Sequence, residues 1–113
     1  MDDSILNSIK KMLGITAEYT HFDQDIIIHI NSVFVILNQM GVGPDNVYYI
    51  TDASQTWSEF IDEAKLNMVQ SYMYLRVRLL FDPPTGSVKD AYEAQANELG
   101  WRLNVAVDPG DKI

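Results

Sequence analysis

The sequence predicts an all-α fold: a small four-helix domain with a long third helix and a flexible C-terminal tail. Three observations carry this. Apolar residues recur at spacings of three and four through four segments, and glycine or proline closes each segment. At the head of the longest one, Thr56-Trp57-Ser58-Glu59 has the form of a capping box, in which hydroxyl and carboxylate each take a free backbone N–H. The helical domain is expected over residues 1–107 and the tail over residues 108–113.

The first helix is expected from Ser4 to Leu13, with Ile5, Leu6, Ile9, Met12 and Leu13 on one face and Gly14 as its stop. The second starts after Thr20 and ends before Gly41; Asp23 and Asp25 in its first turn suit the positive end of the helix dipole. Its β-branched runs, Ile26 to Ile30 and Val33 to Leu37, could also be two strands around Asn31-Ser32. Helix is the better reading, because Asp25, His29, Ser32 and Gln39 make one polar stripe that neither glycine nor proline interrupts. Gly41 to Gln55 reads as a loop holding the apolar patch Val47-Tyr48-Tyr49-Ile50. The third helix then runs from the capping box to Pro83-Pro84 with the stripe Trp57, Ile61, Ala64, Met68, Tyr72, Leu75, Leu79. Ser87 can cap the fourth, whose stripe is Val88, Tyr92, Ala96, Leu99, Leu103 and which Asp108-Pro109-Gly110 closes.

Composition narrows the function classes. The 113 residues suffice for one domain with a core, and they include no cysteine, which excludes disulfides, thiolate metal sites and thiol nucleophiles. Sixteen acidic residues against eight basic ones give a net charge of −8, the wrong sign for gripping phosphates. The acidic start Met1-Asp2-Asp3-Ser4 is unlike a signal peptide, and the Ile26–Leu37 stretch is too short to span a bilayer. A soluble, intracellular protein without a membrane partner is the expectation.

The catalytic inventory is thin. His21, Asp25 and His29 share a helical face, but the two histidines would stand ~12 Å apart along the axis and cannot hold one ion. A solvated or hydrogen-bonded stripe is the better account. The acid pairs Asp62-Glu63 and Asp2-Asp3 diverge as chain neighbours do, whereas acid–base chemistry needs convergent groups. Gly41-Val42-Gly43 runs into Pro44 and has no strand before it, so it is no dinucleotide loop. Tyr72, Tyr74, Arg76 and Arg78 alternate in the manner of a nucleic-acid surface, yet the two arginines project about 200° apart. Tyr72–Arg76, Tyr74–Arg78 and Arg78–Asp82 contacts within the helix account for them better. No catalytic residue, cofactor or metal is expected.

What stands out is surplus apolar surface. Nine of the twelve positions from Ile26 to Leu37 are apolar, more than one buried stripe requires. After Ser71 the third helix is apolar around most of its circumference, and Ala94, Trp101 and Val105 lie away from the main stripe of the fourth. Gly100, beside Trp101, costs about 1 kcal/mol of helix propensity, as at a close contact. A central helix surrounded by the other three would hide part of this; self-association or a fixed partner hides the rest. Phe34, Tyr74, Leu80 and Trp101 are the candidate subunit contacts.

The same residues carry a likeness. Tyr74-Leu75-Arg76-Val77-Arg78-Leu79-Leu80-Phe81-Asp82-Pro83-Pro84, a Ser/Thr/Gly turn, and Glu98-Leu99-Gly100-Trp101-Arg102-Leu103-Asn104-Val105 together resemble the head–tail connector (head-completion or adaptor) proteins of tailed bacteriophages. The likeness extends over nearly the whole chain. It implies a virion structural protein at the head–tail interface, assembled in the host bacterial cytoplasm, and no enzyme. It implies a homo-oligomeric ring, a dodecamer in the virion, between the portal protein and a tail-proximal head-completion protein. DNA would pass through its channel without specific binding, which the acidic charge favours. It further implies that the C-terminal segment, Val105, Ala106, Val107, Asp108 and on to Ile113, orders on docking to the portal; plain disorder is the other reading. A small phage-encoded helical DNA-binding regulator is the alternative function, and the chain lacks the basic recognition helix it needs.

Overall fold

The computed structural model describes residues 3–107, all-α and built from five helices: α1 (Ile5–Met12), α2 (Asp23–Gln39), α3 (Trp57–Phe60), α4 (Glu63–Phe81) and α5 (Gly86–Val107). The tail expected over residues 108–113 lies outside the described residues.

Ser4 caps α1, its hydroxyl accepting the Asn7 N–H at 3.2 Å. The helix buries Ile5, Leu6, Ile9 and Lys10. Its N-terminal approach is tied to the far side of the chain, because the Ile5 N–H bonds the Gln55 carbonyl and the Trp57 N–H bonds that of Asp3. The helical reading of Ile26–Leu37 holds. α2 buries Ile26, Ile27, Ile30, Val33, Phe34 and Leu37, an arc set by the 3.6-residue period.

The loop after α2 is strapped to it by two asparagines. Asn31 replaces a strand partner for Ile50, donating from Nδ2 to its carbonyl at 2.9 Å and accepting its N–H at 2.8 Å. Asn38 donates to the carbonyls of Pro44 and Asp45. Val42 and Ile50 are thereby buried in the main core. Gly43 has φ +91°, and a Cβ there would come within 2.5 Å of the Phe60 ring. Gly43→Ala is therefore expected to destabilise the fold by about 2 kcal/mol, combining left-handed strain with displacement of a buried ring. A urea titration reads this as a lower midpoint at unchanged slope.

The single long third helix is corrected to two. The capping box forms as expected, but Ile61 is extended (φ −153°, ψ 156°) and α4 restarts after Asp62. Helical geometry gives the reason. At 100° per residue, an unbroken helix would place Trp57 and Phe60 roughly opposite Val69, Met73 and Val77. All five are buried on one core, so the chain must turn between them. The expected stripe changes accordingly: α4 buries Val69, Tyr72, Met73, Leu75 and Val77, while Ala64 is exposed and Met68 and Leu79 are half-buried.

α4 is the central helix, packed against α1, α2 and α5. Gly100 of α5 sits where a Cβ would lie 3.2 Å from Tyr72 Cε1, so its missing side chain lets α5 approach α4. Ala96 and Leu103 are buried on that side, Tyr92 and Leu99 half-buried, and Val88 is exposed at the start of the helix.

Candidate functional site

The polar candidates do not converge. His21 is exposed and meets Phe22 edge-on at 4.7 Å, and His29 is half-buried with its ring 6.4 Å from Phe81. Asp25 is exposed. Among the described residues, no group of three or more His, Asp or Glu is placed to hold a metal ion. The arginines are engaged within the chain. Arg76 stands 5.4 Å over the Tyr72 ring, donates to its hydroxyl at 3.2 Å and reaches Asn97 Oδ1 at 3.3 Å. Arg78 pairs with Asp82 at 4.0 Å, and Arg102 with Glu98 at 2.7 Å.

Two tyrosines show what the polar groups do instead. The Tyr48 hydroxyl donates to Glu59 Oε1 at 2.9 Å; partial burial, then the adjacent carboxylate, push its pKa up to about 12. Tyr74 is also raised, first by burial and then by its hydrogen bond with Tyr92. Both are harder to ionise folded than unfolded. Their contribution to stability is full below the ordinary tyrosine pKa and lost as pH rises through the folded values. A spectrophotometric titration should show late-ionising tyrosines, and stability should fall between about pH 10 and 12. In Tyr48→Phe that fall should be smaller.

One charged residue that the sequence reading passed over is structurally central. Lys10 is fully buried, with its ammonium 2.7 Å from Asp23 Oδ1 and donating to the Ala17 carbonyl at 3.1 Å. It joins α1, the 13–22 connection and the first turn of α2. The signal was present: Leu6, Lys10 and Leu13 stand at i, i+4 and i+7 on one face.

The candidate subunit contacts separate into two groups. Phe34 is corrected: it is 1% exposed, with Phe60 at 4.7 Å and Tyr48 at 5.2 Å, and offers no surface to another chain. A ring large enough to face outward fills the core here because the 41–60 segment folds over α2. Tyr74 is half-buried, with its ring 6.4 Å from Tyr92, in an open groove of about 590 Å³ between α4 and α5. Met12, Met68, Leu75 and Leu99 also line that groove. Leu80 and Trp101 are exposed, Trp101 at 67%. The surplus on α2 is exposed as well, at Ile28 (60%), Val35 and Ile36, but these three had not been singled out. Of the docking candidates, Val105 is half-buried near the end of α5. Asp108 and Ile113 lie outside the described residues, as do the side chains of Ala106 and Val107.

No helix among the described residues is long and apolar enough to cross a membrane. A family model described as phage connector protein matches residues 5–110. No curated protein and no solved structure matches the chain.

Proposed function

The chain belongs to the phage connector protein family, and we propose that it acts as a head–tail connector subunit forming a ring that docks on the portal. The ring, a dodecamer in the virion, extends the DNA channel towards the tail and presents a platform to a tail-proximal head-completion protein. One observation carries this beyond the virion connector role itself. Large apolar side chains stay outside the single core on two long helices, at Ile28, Val35 and Ile36 of α2 and at Trp101 of α5. Such surface is expected of a subunit that is covered by neighbours in its working state.

The charge supports the same reading. A net charge of −8 per subunit opposes adhesion of the phosphate backbone to a channel through which DNA has to move. A gel-shift titration at low salt is accordingly expected to stay flat, whereas a DNA-binding regulator would show salt-sensitive binding. The candidate docking segment is Val105 to Ile113 on the portal side. The test is retention of the purified chain by immobilised, assembled portal rings from the same phage. Retention that is lost when residues 105–113 are deleted is the expected result; portal rings that retain none of the intact chain would end the assignment.

A further inference from the structure

We propose that the outward face of α2 and the Trp101 face of α5 are the two halves of one head-to-tail contact between copies of this chain. This deepens the ring reading and rests on it. α4 packs against both helices, and within one chain both faces are left uncovered, with Ile28, Val35, Ile36 and Trp101 exposed. On α2, Ile28, Ser32 and Val35 follow one another at spacings of four and three, with Ile36 beside them, and all four are exposed. The Ser32 hydroxyl is turned back onto the Ile28 carbonyl at 3.0 Å, which leaves the stripe with little need for water. On α5, Ala94, Trp101 and Val105 stand at spacings of seven and four; Ala94 and Trp101 are exposed and Val105 is half-buried.

Charge argues that the occupant is a second copy. From Ile26 to Pro44 there is not one Asp, Glu, Lys or Arg, in a chain that carries twenty-four of them; the exposed Asp25, a turn before Ile28, marks the end of the uncharged stretch. Subunits that each carry −8 repel, and they can meet closely only where neither side brings net charge. Around Trp101 that condition is met too: Glu98 is held by Arg102 at 2.7 Å, and the exposed Asp90, a turn before Ala94, lies at the far end of the stripe. Geometry argues that the contact is between unlike faces. Pairing α2 with α2 across a two-fold axis would stop at a dimer and leave Trp101 in water. Pairing α2 with α5 covers both faces and repeats from copy to copy, which is the condition for a closed ring.

The chain has no cysteine, so single thiols can be introduced without background. Ser32→Cys places one in the α2 face and Ala94→Cys one in the α5 face; both positions are exposed, and circular dichroism checks that each variant keeps its helices. The two variants are mixed in equal amounts on assembled portal rings and treated with a short bis-maleimide. The expected product is a mixed dimer, absent when either variant is used alone, and a double variant should give a ladder. Dimers from Ser32→Cys alone, or cross-links from it to the portal protein only, would overturn the pairing. Wild-type chain bound to the same rings, quantified in parallel, separates the two failures. Bound chain without mixed dimers refutes the pairing and leaves the ring standing; no bound chain refutes both. Trp101→Ser adds a second readout, with loss of the mixed dimer expected at an unchanged urea midpoint.

Discussion

Trp57→Ala is expected to bring the chain close to unfolding, at a cost of about 3–5 kcal/mol. That is a large part of the 5–15 kcal/mol by which a typical domain is stable. Trp57 is 1% exposed, and its Nε1–H donates to Ser8 Oγ at 2.7 Å while Ser8 donates onward to the Ile5 carbonyl at 3.0 Å. Its backbone N–H holds the Asp3 carbonyl at 3.0 Å. The side chain therefore fills the space where α1, α3 and the N-terminal approach meet. Truncation removes the filling and leaves Ser8 without its donor. Trp57→Phe keeps most of the volume and loses the bond, so about 1–2 kcal/mol is expected there. Urea denaturation followed by circular dichroism measures both; a wild-type midpoint for Trp57→Ala would contradict the packing described.

Lys10→Met is the second large effect, expected at about 2–3 kcal/mol. Methionine preserves the stem but leaves the Asp23 carboxylate and the Ala17 carbonyl without the ammonium that both use. The cost falls short of that for a fully buried pair because the Asp23 side chain retains 23% exposure. Asp23→Asn alone strands a buried ammonium and should also destabilise, with an added loss of charge at the positive end of α2. The double variant Lys10→Met with Asp23→Asn should recover part of the combined loss, a coupling of about 1–2 kcal/mol. Additive effects would mean that the two groups do not depend on one another. Because the pair closes the 13–22 connection onto α2, protection of that connection from hydrogen exchange should drop first in the single variants.

These two residues mark where sequence reasoning succeeds and where it stops. Helix starts and stops are local, so Ser4, the Thr56–Glu59 capping box, Gly14, Gly41 and the paired prolines placed α1, α2 and the outer limits of α3–α4 well. The break at Ile61 was hidden because a local stripe from Trp57 to Leu79 is a perfectly good helix pattern. Only the position of the shared core shows that Trp57 and Phe60 must face the same centre as Val69 and Met73. Phe34 was misplaced although a signal was present: on a helix wheel it stands opposite the Asp25, His29, Ser32 and Gln39 stripe, on the arc of α2 that is buried. The loop that Asn31 and Asn38 strap over the helix completes its cover. The surplus itself was readable, since an apolar excess is a property of composition; its location at Ile28, Val35 and Ile36 required the tertiary contacts. Gly100 is the converse case, where one unfavourable residue in a helix pointed to the close approach of Tyr72.

The central claim is that this acidic, one-core helical chain is completed by copies of itself on the portal. Native mass spectrometry of the chain bound to purified, assembled portal rings measures that most directly, because it counts copies per ring. The account predicts a single dominant species with as many copies of the chain as of portal protein. A broad distribution of one or two bound copies, filling independently with concentration, would contradict it.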